Sequence, residues 1–181
     1  LDELAHGSTV ATNAILERKG ARVALILTEG FRDLLLLQRH QRRRIYDLHY
    51  VKPEPVVRRR DTIEVPERIG PDGAVIRPLD LAVARERLAA LLASRKFDAV
   101  AICLLNGFAN PAHEAALVDL LAELAPDVAA SPSHKIAREF REYERASTTT
   151  LSAYVQPVVG RYLDRFEAAL DAQGFKGAFS V

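Results

Sequence analysis

Two uninterrupted apolar runs constrain the fold of this chain more than any other feature: RVALIL at residues 22–27 and FDAVAICLL at residues 97–105. Both are rich in residues that favour strands, and neither shows the polar–apolar alternation of a strand with one face in water. Each run is therefore predicted to be a strand buried on both faces, as in a parallel sheet covered by helices. Helical patterns flank both runs, so the sequence predicts an α/β fold.

The N-terminal part predicts a helix, a strand and a second helix in direct succession. Residues 9–19 carry apolar positions at helical spacing, with Ser8 or Thr9 as N-cap and Gly20 directly after the end. The strand at 22–27 follows, and FRDLLLL then predicts a short helix. This order is half of a parallel α/β unit.

The same rhythm returns after residue 80. Asp80 is predicted to be the N-cap of a leucine-rich helix that precedes the second buried strand. Asn110 and Pro111 are placed as N-cap and first residue of the next helix, which Pro126 ends. A short strand at 127–130 is expected after it.

The segment between these units predicts a hairpin. Two strand-like runs surround Pro-Asp-Gly at 71–73, where Asp72 and Gly73 suit positive φ. With the basic stretch before it, this segment is predicted to form an antiparallel excursion. The main sheet is accordingly expected to be mixed.

The C-terminal part predicts helices at 141–173. Pro157 is expected to break or kink them, because proline lacks an amide donor and crowds the carbonyl of Ala153. Gly174 closes the second helix, and a strand begins after it. The chain is thus divided into segments 1–38, 39–79, 80–140 and 141–181 of one domain.

Composition indicates whether the chain is complete, where the protein resides and what state its cysteine is in. Methionine is absent and the chain starts directly before a helix-opening signal, which indicates a piece of a longer chain whose site is incomplete here. No apolar run approaches the roughly 18 residues of a membrane span, and no signal peptide opens the sequence, so a cytoplasmic protein without membrane contact is expected. The single cysteine, Cys103, is predicted to be a buried small hydrophobe.

Positive charge is concentrated between Arg39 and Arg60, where eight Lys or Arg face two acids, although the net charge is only +1. Such clusters bind phosphates in some proteins. More often they are solvated faces or subunit contacts, so nucleic acid is not expected as a partner.

Four polar loops are predicted to share one edge of the sheet if its strands are parallel. They are HGST at 6–9, TEG at 28–30, NGFANPAHE at 106–114 and SPSHK at 131–135. Ligands of open α/β sheets bind at that edge, outside the carboxyl ends of the strands.

The HGST loop has two interpretations. As a site, it offers the free amides of a helix N-terminus, the hydroxyls of Ser8, Thr9 and Thr12, close approach at Gly7, and His6 as donor or general acid. As a cap, it needs only Ser8 or Thr9 on the helix, with His6 as a satisfied polar residue.

The remaining polar stretches leave similar alternatives. Glu114, beside His113, is predicted to favour the helix dipole, and His134 a capping or surface role. EYERASTTT at 142–150 is either a helix start packed against a site or an N-cap with a charged flank. No metal-ligand spacing and no redox, acyl-transfer or Walker motif is present.

Five ordered blocks carry a resemblance to a known family: HGSTVATNAILERKGARVALILTEGFRDLLLLQR, IYDL, EVPERIGPDGAVIRPLD, NGFANPAHE and REYERASTTTLSAYVQP. In this order they resemble the N-terminal region of the hydantoinase A and 5-oxoprolinase family, to which subunits of acetone and acetophenone carboxylases are related. The resemblance implies an actin-like or sugar-kinase-like ATPase lobe that uses ATP and Mg²⁺ to activate a carbonyl or enolate oxygen as a phosphate ester. It also implies a hydantoinase B-type partner subunit or domain and an oligomer.

By position, the family's HGTT-type motif falls on His6, Gly7, Ser8 and Thr9, with Asn13 one turn further along. The ER-x-STT block falls on Glu144, Arg145, Ser147, Thr148 and Thr149. The resemblance thus implies His6 and Thr9 as catalytic residues, with no metal ligand among these residues. The substrate- or phosphate-binding residues that it implies are Gly7, Ser8, Thr12, Asn13, Glu144, Arg145 and Thr148.

The chain departs from the family in four places, of which the first is the stretch QRHQRRRIYDL, with extra arginines where members more often show a proline before Tyr-Asp-Leu. Ser8 stands for the commoner threonine, the residues before Asn110 leave the role of Asn106 open, and no DxGGT-type phosphate loop lies within these residues. The chain by itself is therefore expected not to bind ATP tightly. Three functions stay open: a hydrolase of hydantoin or 5-oxoproline rings, a subunit of an ATP-dependent ketone carboxylase, and an assembly module that docks through 39–60.

Overall fold

A computed structural model describes residues 2–40 and 44–180. Strands form at β1 Glu3–Ala5, β2 Val23–Thr28, β3 Thr62–Val65, β4 Arg68–Ile69, β5 Val75–Arg77, β6 Ala99–Cys103, β7 Ala129–Pro132 and β8 Ala178–Ser180. Helices form at α1 Val10–Leu16, α2 Leu34–Leu37, α3 Leu81–Ser94, α4 Ala112–Leu124, α5 Ser133–Ile136 and α6 Glu142–Ala172. None of these helices is long and apolar enough to cross a membrane.

The central sheet has four parallel strands in the order β3–β2–β6–β7. The prediction of a mixed sheet is therefore wrong for this sheet. The cause is the run Thr62–Val65, which was placed in the antiparallel excursion but pairs with β2 in parallel. The local pattern of β3 gives its strand character, whereas only the contact with β2 gives its direction.

Helices cover both faces of this sheet, as the continuous apolar runs predicted. In β2, Ala24 and Ile26 face a core formed with α3 and α4, and Leu25 faces the opposite core with α6. All six residues of β2 and all five of β6 are buried. Burial of both faces explains why neither strand alternates polar with apolar residues.

The predicted hairpin is present on a smaller scale. β4 and β5 pair in an antiparallel manner around the turn at 70–74, and Gly73 has a φ of +83°. Asp72 is not among the residues with positive φ, and its carboxylate instead accepts a hydrogen bond from the amide of Ala74 at 3.1 Å.

Helix ends agree with the sequence in three places and differ in two. α4 begins at Ala112 with Pro111 as N-cap, one residue later than predicted. The Asp80 side chain accepts from the amide of Val83 at 3.1 Å, α4 ends before Pro126, and Gly174, with a φ of +74°, follows α6. α1 ends at Leu16 rather than Lys19, because Arg18 adopts the left-handed conformation with a φ of +53°.

Pro157 does not break the last helix, which runs without interruption for 31 residues. Ala153 and Tyr154, one turn earlier, are buried against the sheet. These contacts hold the helix on the N-terminal side of the proline, so the loss of one backbone hydrogen bond is tolerated.

The basic stretch 39–60 is largely paired where it is described. Arg39 contacts Glu144, Arg59 lies 2.5 Å from Asp33, and the Lys52 ammonium donates to the carbonyls of Leu36 and Leu37 at the end of α2. Two of its eight cations, at positions 42 and 43, lie outside the described residues.

Candidate functional site

The HGST loop does not share an edge with the other three polar loops. It follows β1, and β1 pairs with β8 in a separate two-stranded parallel sheet. The prediction that four loops meet at one edge is therefore wrong for HGST and correct in placing the other three after β2, β6 and β7. β1 was outside the sequence prediction, whereas its partner β8 is the strand predicted after Gly174.

His6 is held by the C-terminal half of α6. Its Nε2 atom lies 2.6 Å from the Tyr162 hydroxyl, and its ring stacks on Phe166 with centroids 4.6 Å apart. Phe166 also stacks on Phe179 of β8, at 5.0 Å. These contacts fix the plane of the imidazole while leaving Nδ1 without a hydrogen bond within the described residues.

The rest of the loop is open to solvent. Ser8, Thr9, Thr12 and Asn13 are exposed, and a Cβ added to Gly7 would meet nothing within 4 Å. Ser8 Oγ accepts from the amide of Val10 at 3.2 Å, whereas Thr9, the N-cap by position, makes no capping hydrogen bond. The loop thus keeps several free donors, but in front of a helix of only seven residues.

Arg145 of the second predicted group is enclosed by protein. It is 1% exposed, one guanidinium nitrogen donates to the carbonyl of Leu104, and the group lies 5.4 Å from the centre of the Phe108 ring. Nε and Nη1 are buried without a partner. In this conformation Arg145 supports the end of β6 and is closed to a ligand from solvent.

The neighbouring residues of that block point elsewhere. A hydrogen bond from the Glu144 backbone, with the Arg39 guanidinium nearby, holds the pKa of the Glu144 carboxyl below its usual value. Thr148 is exposed, whereas Thr149 is buried and donates to the carbonyl of Arg145 at 2.7 Å. The hydroxyl-rich stretch is thus the interior of a long helix and not an N-cap.

The two predicted groups lie far apart along α6. Arg145 is in the first turn, beside the end of β6, and Tyr162, which holds His6, comes 17 residues later. At 1.5 Å per residue the separation is roughly 25 Å. One small ligand therefore cannot touch both groups within this chain.

At the carboxyl edge of the sheet, Glu67 joins polar residues from the three loops that were predicted to meet there. Glu67, 1% exposed, accepts from the Thr28 hydroxyl, and one of its carboxylate oxygens lies 2.8 Å from Nδ1 of His113. The Thr28 oxygen in turn accepts from the amide of Leu105 at 2.8 Å. This chain of contacts joins the ends of β2, β3 and β6 to α4.

Glu114 is the centre of a second buried cluster. Its carboxylate accepts from the amide of Leu104 at 2.9 Å, from the Ser133 hydroxyl at 2.6 Å and from the amide of His134 at 2.9 Å, and it lies 2.7 Å from His134 Nδ1. Glu114 lies in the first turn of α4 as predicted, but it is fully buried, which the sequence pattern did not indicate. A Cβ at Gly107 would lie 2.6 Å from its carboxylate.

Cys103 lies in this region, and its thiol is unreactive. Burial raises the pKa of its thiol to about 11, although the Arg145 cation opposes the shift. The sequence prediction of a buried small hydrophobe is confirmed.

The sequence offered signals for some of these residues. The loops after β2, β6 and β7 were marked by their polar residues, and they supply Thr28, Glu114 and Ser133. Glu67 stands in VPERIG without any such signal. Among the described residues, no three His, Cys, Asp or Glu side chains come together as a metal site.

The comparisons with known proteins agree with the fold. Residues 1–125 match the family model described as the hydantoinase/oxoprolinase N-terminal region. The crystal structure of the ATP-dependent caprolactamase from Pseudomonas jessenii superposes with a TM-score of 0.89 at 32% identity, covering 98% of this chain and 26% of that chain.

Two further relatives carry different names. The acetophenone carboxylase gamma subunit of Aromatoleum aromaticum is 33% identical over 99% of this chain and 26% of its own length. The 5-oxoprolinase 1 of Arabidopsis thaliana is 33% identical over 91% of this chain and 14% of its own length. The chain thus spans about a quarter or less of these relatives, and it belongs to the hydantoinase/oxoprolinase family.

Proposed function

We propose that this chain is part of an ATP-dependent enzyme that opens a cyclic amide, such as a hydantoin or 5-oxoproline ring. The observation that carries the proposal is the similarity to the ATP-dependent caprolactamase over 98% of the chain. The similarity to a 5-oxoprolinase supports the same reaction class. Both names describe cleavage of an amide bond within a ring.

The HGST loop is proposed to line the site of the reacting oxygen. Stacking on Phe166 and the contact with Tyr162 give His6 a fixed orientation, and Nδ1 stays free to meet a ligand. If the tyrosine hydroxyl donates to Nε2, the imidazole proton resides on Nδ1, from which it can be donated to an oxygen. Ser8 and Thr9 add exposed hydroxyl donors beside it.

The nucleotide is proposed to meet the same loop. Exposed hydroxyls, backbone amides and the open space at Gly7 suit a phosphate group, and the loop itself holds no carboxylate that would repel it. When bound, ATP supplies the phosphoryl group that activates the amide oxygen. Mg²⁺ is proposed to accompany it, and we assign no magnesium ligand to the described residues.

The parent architecture is proposed to be an actin-like ATPase with a hydantoinase B-type partner. The four-stranded parallel sheet with helices on both faces is compatible with part of such a lobe. One relative is named as subunit alpha of a caprolactamase and another as a gamma subunit, which supports a multi-subunit enzyme.

The decisive experiment uses the full-length protein that contains this chain. ADP release is measured with hydantoin, 5-oxoproline and caprolactam, and the ring-opened product is identified by mass spectrometry. The proposal expects one of these amides to stimulate ADP release in step with ring opening. No stimulation by any of them would overturn it.

A ketone carboxylase is the second candidate, favoured by the 33% identity to the acetophenone carboxylase gamma subunit. The same assay with acetone or acetophenone and isotopically labelled bicarbonate separates the two. Label retained in the organic product identifies a carboxylase, whereas a hydrolase leaves the product unlabelled.

Three variants of the full-length enzyme test the role of HGST. His6→Ala and Thr9→Ala are expected to lower kcat by about 100-fold, the usual effect of a lost donor or general acid. Tyr162→Phe keeps the stacking but removes the contact with His6, so a smaller loss is expected. If none of them changes turnover, the loop is only a cap, and the assembly-module alternative gains support.

A further inference from the structure

A cavity lies at the amino edge of the sheet, away from the HGST loop and from Arg145. It has a volume of about 810 Å³ and lies where β2, β3 and β6 begin. Six cationic side chains line this basin: Arg18, Arg22, Arg58, Arg60, Arg95 and Lys96. We call it the amino-edge basin.

The basin carries a strong excess of positive charge. Its lining contains two carboxylates, Asp61 and Asp98, against the six cations. Arg18, Arg22 and Lys96 form no ion pair within the described residues. A concave surface with one sign of charge concentrates the electric field, so the basin attracts anions more strongly than a flat face with the same charges.

Both acids are already engaged by the protein. Asp98 accepts from the backbone amide of Arg22 at 2.8 Å, and Asp61 lies 2.8 Å from the guanidinium of Arg95. The contact between Asp61 and Arg95 is short but poorly aligned, because the carboxylate oxygen accepts no hydrogen bond there. These acids anchor the lining, and Arg58 pairs with Glu54 at 2.7 Å, which leaves three of the six cations for a ligand.

Two of the free cations are fixed by the backbone. Arg18, in the left-handed conformation, donates to the carbonyl of Glu54 at 3.1 Å, and Arg22 donates to the carbonyl of Lys96 at 3.3 Å. A non-glycine residue at positive φ costs free energy, which the surrounding structure must offset. Contacts with carbonyls orient the guanidinium groups without neutralising them.

The size and chemistry of the basin favour a small ligand over a macromolecule. Small-molecule pockets range from about 300 to 1,000 Å³. The centres of protein–protein interfaces are poor in charged residues and rich in aromatic ones, whereas here Tyr154 is the one aromatic residue in the lining. Five of the six cations are arginines, whose planar forks suit the oxygens of phosphate.

We propose that the amino-edge basin binds a compact oligophosphate, an anion in which two or more phosphate groups are linked. The site goes beyond the proposed function, because it lies at the opposite edge of the sheet from Arg145 and belongs to neither predicted group. Arg18, Arg22 and Lys96 supply the free positive charge, while Arg95 and Arg60 are held in place by Asp61.

The test is calorimetric titration of the chain with tripolyphosphate, with citrate as a carboxylate anion of similar charge. Variants Arg18→Asn, Arg22→Ala and Lys96→Ala remove the free cations, and asparagine tolerates the left-handed conformation at position 18. Arg85→Ala is the matched control, since Arg85 is an exposed arginine that pairs with Glu123 outside the basin. Circular dichroism confirms that each variant is folded.

The proposal expects saturable binding of tripolyphosphate, and each basin variant should weaken it by about three- to tenfold because a charge-assisted hydrogen bond is lost. Citrate should bind more weakly, and Arg85→Ala should leave the affinity unchanged. The proposal is overturned if tripolyphosphate does not bind below about 1 mM. Equal losses in the basin variants and in Arg85→Ala would also overturn it, because they would show only general attraction between charges.

Discussion

At the scale of single residues, Glu67 and Glu114 show how this protein tolerates carboxylates in its interior. Both side chains are fully enclosed. Glu67 accepts from the Thr28 hydroxyl and contacts His113, and Glu114 accepts several hydrogen bonds from neighbouring elements. A buried carboxylate is costly unless its oxygens are satisfied in this way. These residues therefore hold strand ends and helices together, and their removal leaves buried donors without partners.

Replacing Glu114 by alanine is predicted to lower the free energy of unfolding by about 3 kcal/mol or more, because two amides and the Ser133 hydroxyl lose their acceptor. Urea denaturation of the chain measures this loss. Glu123→Ala, which removes an exposed acid from the same helix, should leave the midpoint almost unchanged. A comparable midpoint shift in both variants would contradict the assignment of Glu114 as a buried centre of hydrogen bonds.

The Cys103 thiol is predicted to make stability depend on alkaline pH. Its pKa is about 11 when folded, against an ordinary value of 9.0, so the unfolded chain loses the proton first. The contribution of the thiol is complete below about pH 9 and falls by about 2–3 kcal/mol as pH rises to 11.

The measurement is the difference in unfolding free energy between the wild-type chain and Cys103→Ala across that range, which cancels the titration of other groups. As pH rises from about 9 to 11, the unfolding free energy of the wild-type chain should fall by about 2–3 kcal/mol relative to that of Cys103→Ala. Parallel curves for the two proteins would show that the thiol titrates normally.

At the scale of elements, α6 organises the molecule. Its first turns lie under the carboxyl edge of the sheet, its middle packs on β6 and β7, and its last turns hold His6 through Tyr162 and Phe166. The chain enters β2 across this helix, where the amide of Ala21 donates to the carbonyl of Tyr154 at 2.8 Å. Tertiary contacts along its length explain why the helix continues through Pro157.

Replacement by alanine is predicted to change stability in opposite directions at two glycines, Gly20 beside α6 and Gly160 within it. A Cβ at Gly20 would lie 2.2 Å from the Tyr154 ring, so Gly20→Ala should destabilise the chain by about 1–3 kcal/mol through overpacking. A Cβ at Gly160, within α6, meets nothing within 4 Å, so Gly160→Ala should stabilise it by about 0.5–1 kcal/mol. Thermal denaturation of both variants provides the comparison, and the same sign for both would contradict the packing described here.

At the scale of the whole molecule, polar chemistry is divided among three places. The HGST loop lies beside the small β1–β8 sheet, the buried carboxylates lie at the carboxyl edge of the central sheet, and the amino-edge basin lies at the opposite edge. α6 spans all three regions, and the hydrophobic layers on both faces of the sheet separate them. Effects of substitutions in one region should therefore not reach another.

A double-mutant cycle tests this separation. The losses in unfolding free energy for His6→Ala and Glu114→Ala are predicted to add within about 0.5 kcal/mol, because the residues are far apart and share no partner. Thr28→Val and Glu67→Ala, which remove two groups in direct contact, should deviate from additivity by more than that. If the first pair deviates from additivity as much as the second pair, the two regions are energetically coupled, which would contradict the prediction.

The sequence by itself determined the features that depend on neighbouring residues. Four features could be predicted from the sequence, because periodicity and backbone preference act locally. They are the burial of β2 and β6 on both faces, the cap at Asp80, the positive φ at Gly73 and the end of α6 before Gly174. Ordered family motifs also identified the family, although the roles of His6, Thr9 and the other residues implied by resemblance stay predictions.

Only the tertiary structure decided the features that depend on distant partners. β3 is parallel because it pairs with β2, HGST leaves the common edge because β1 pairs with β8, and Glu67 and Glu114 are buried because remote donors satisfy them. Pro157 stays within a helix for the same reason, since packing against the sheet outweighs one lost hydrogen bond. Local patterns report how exposed a residue is expected to be, whereas the identity of its partner follows from contacts between segments far apart in sequence.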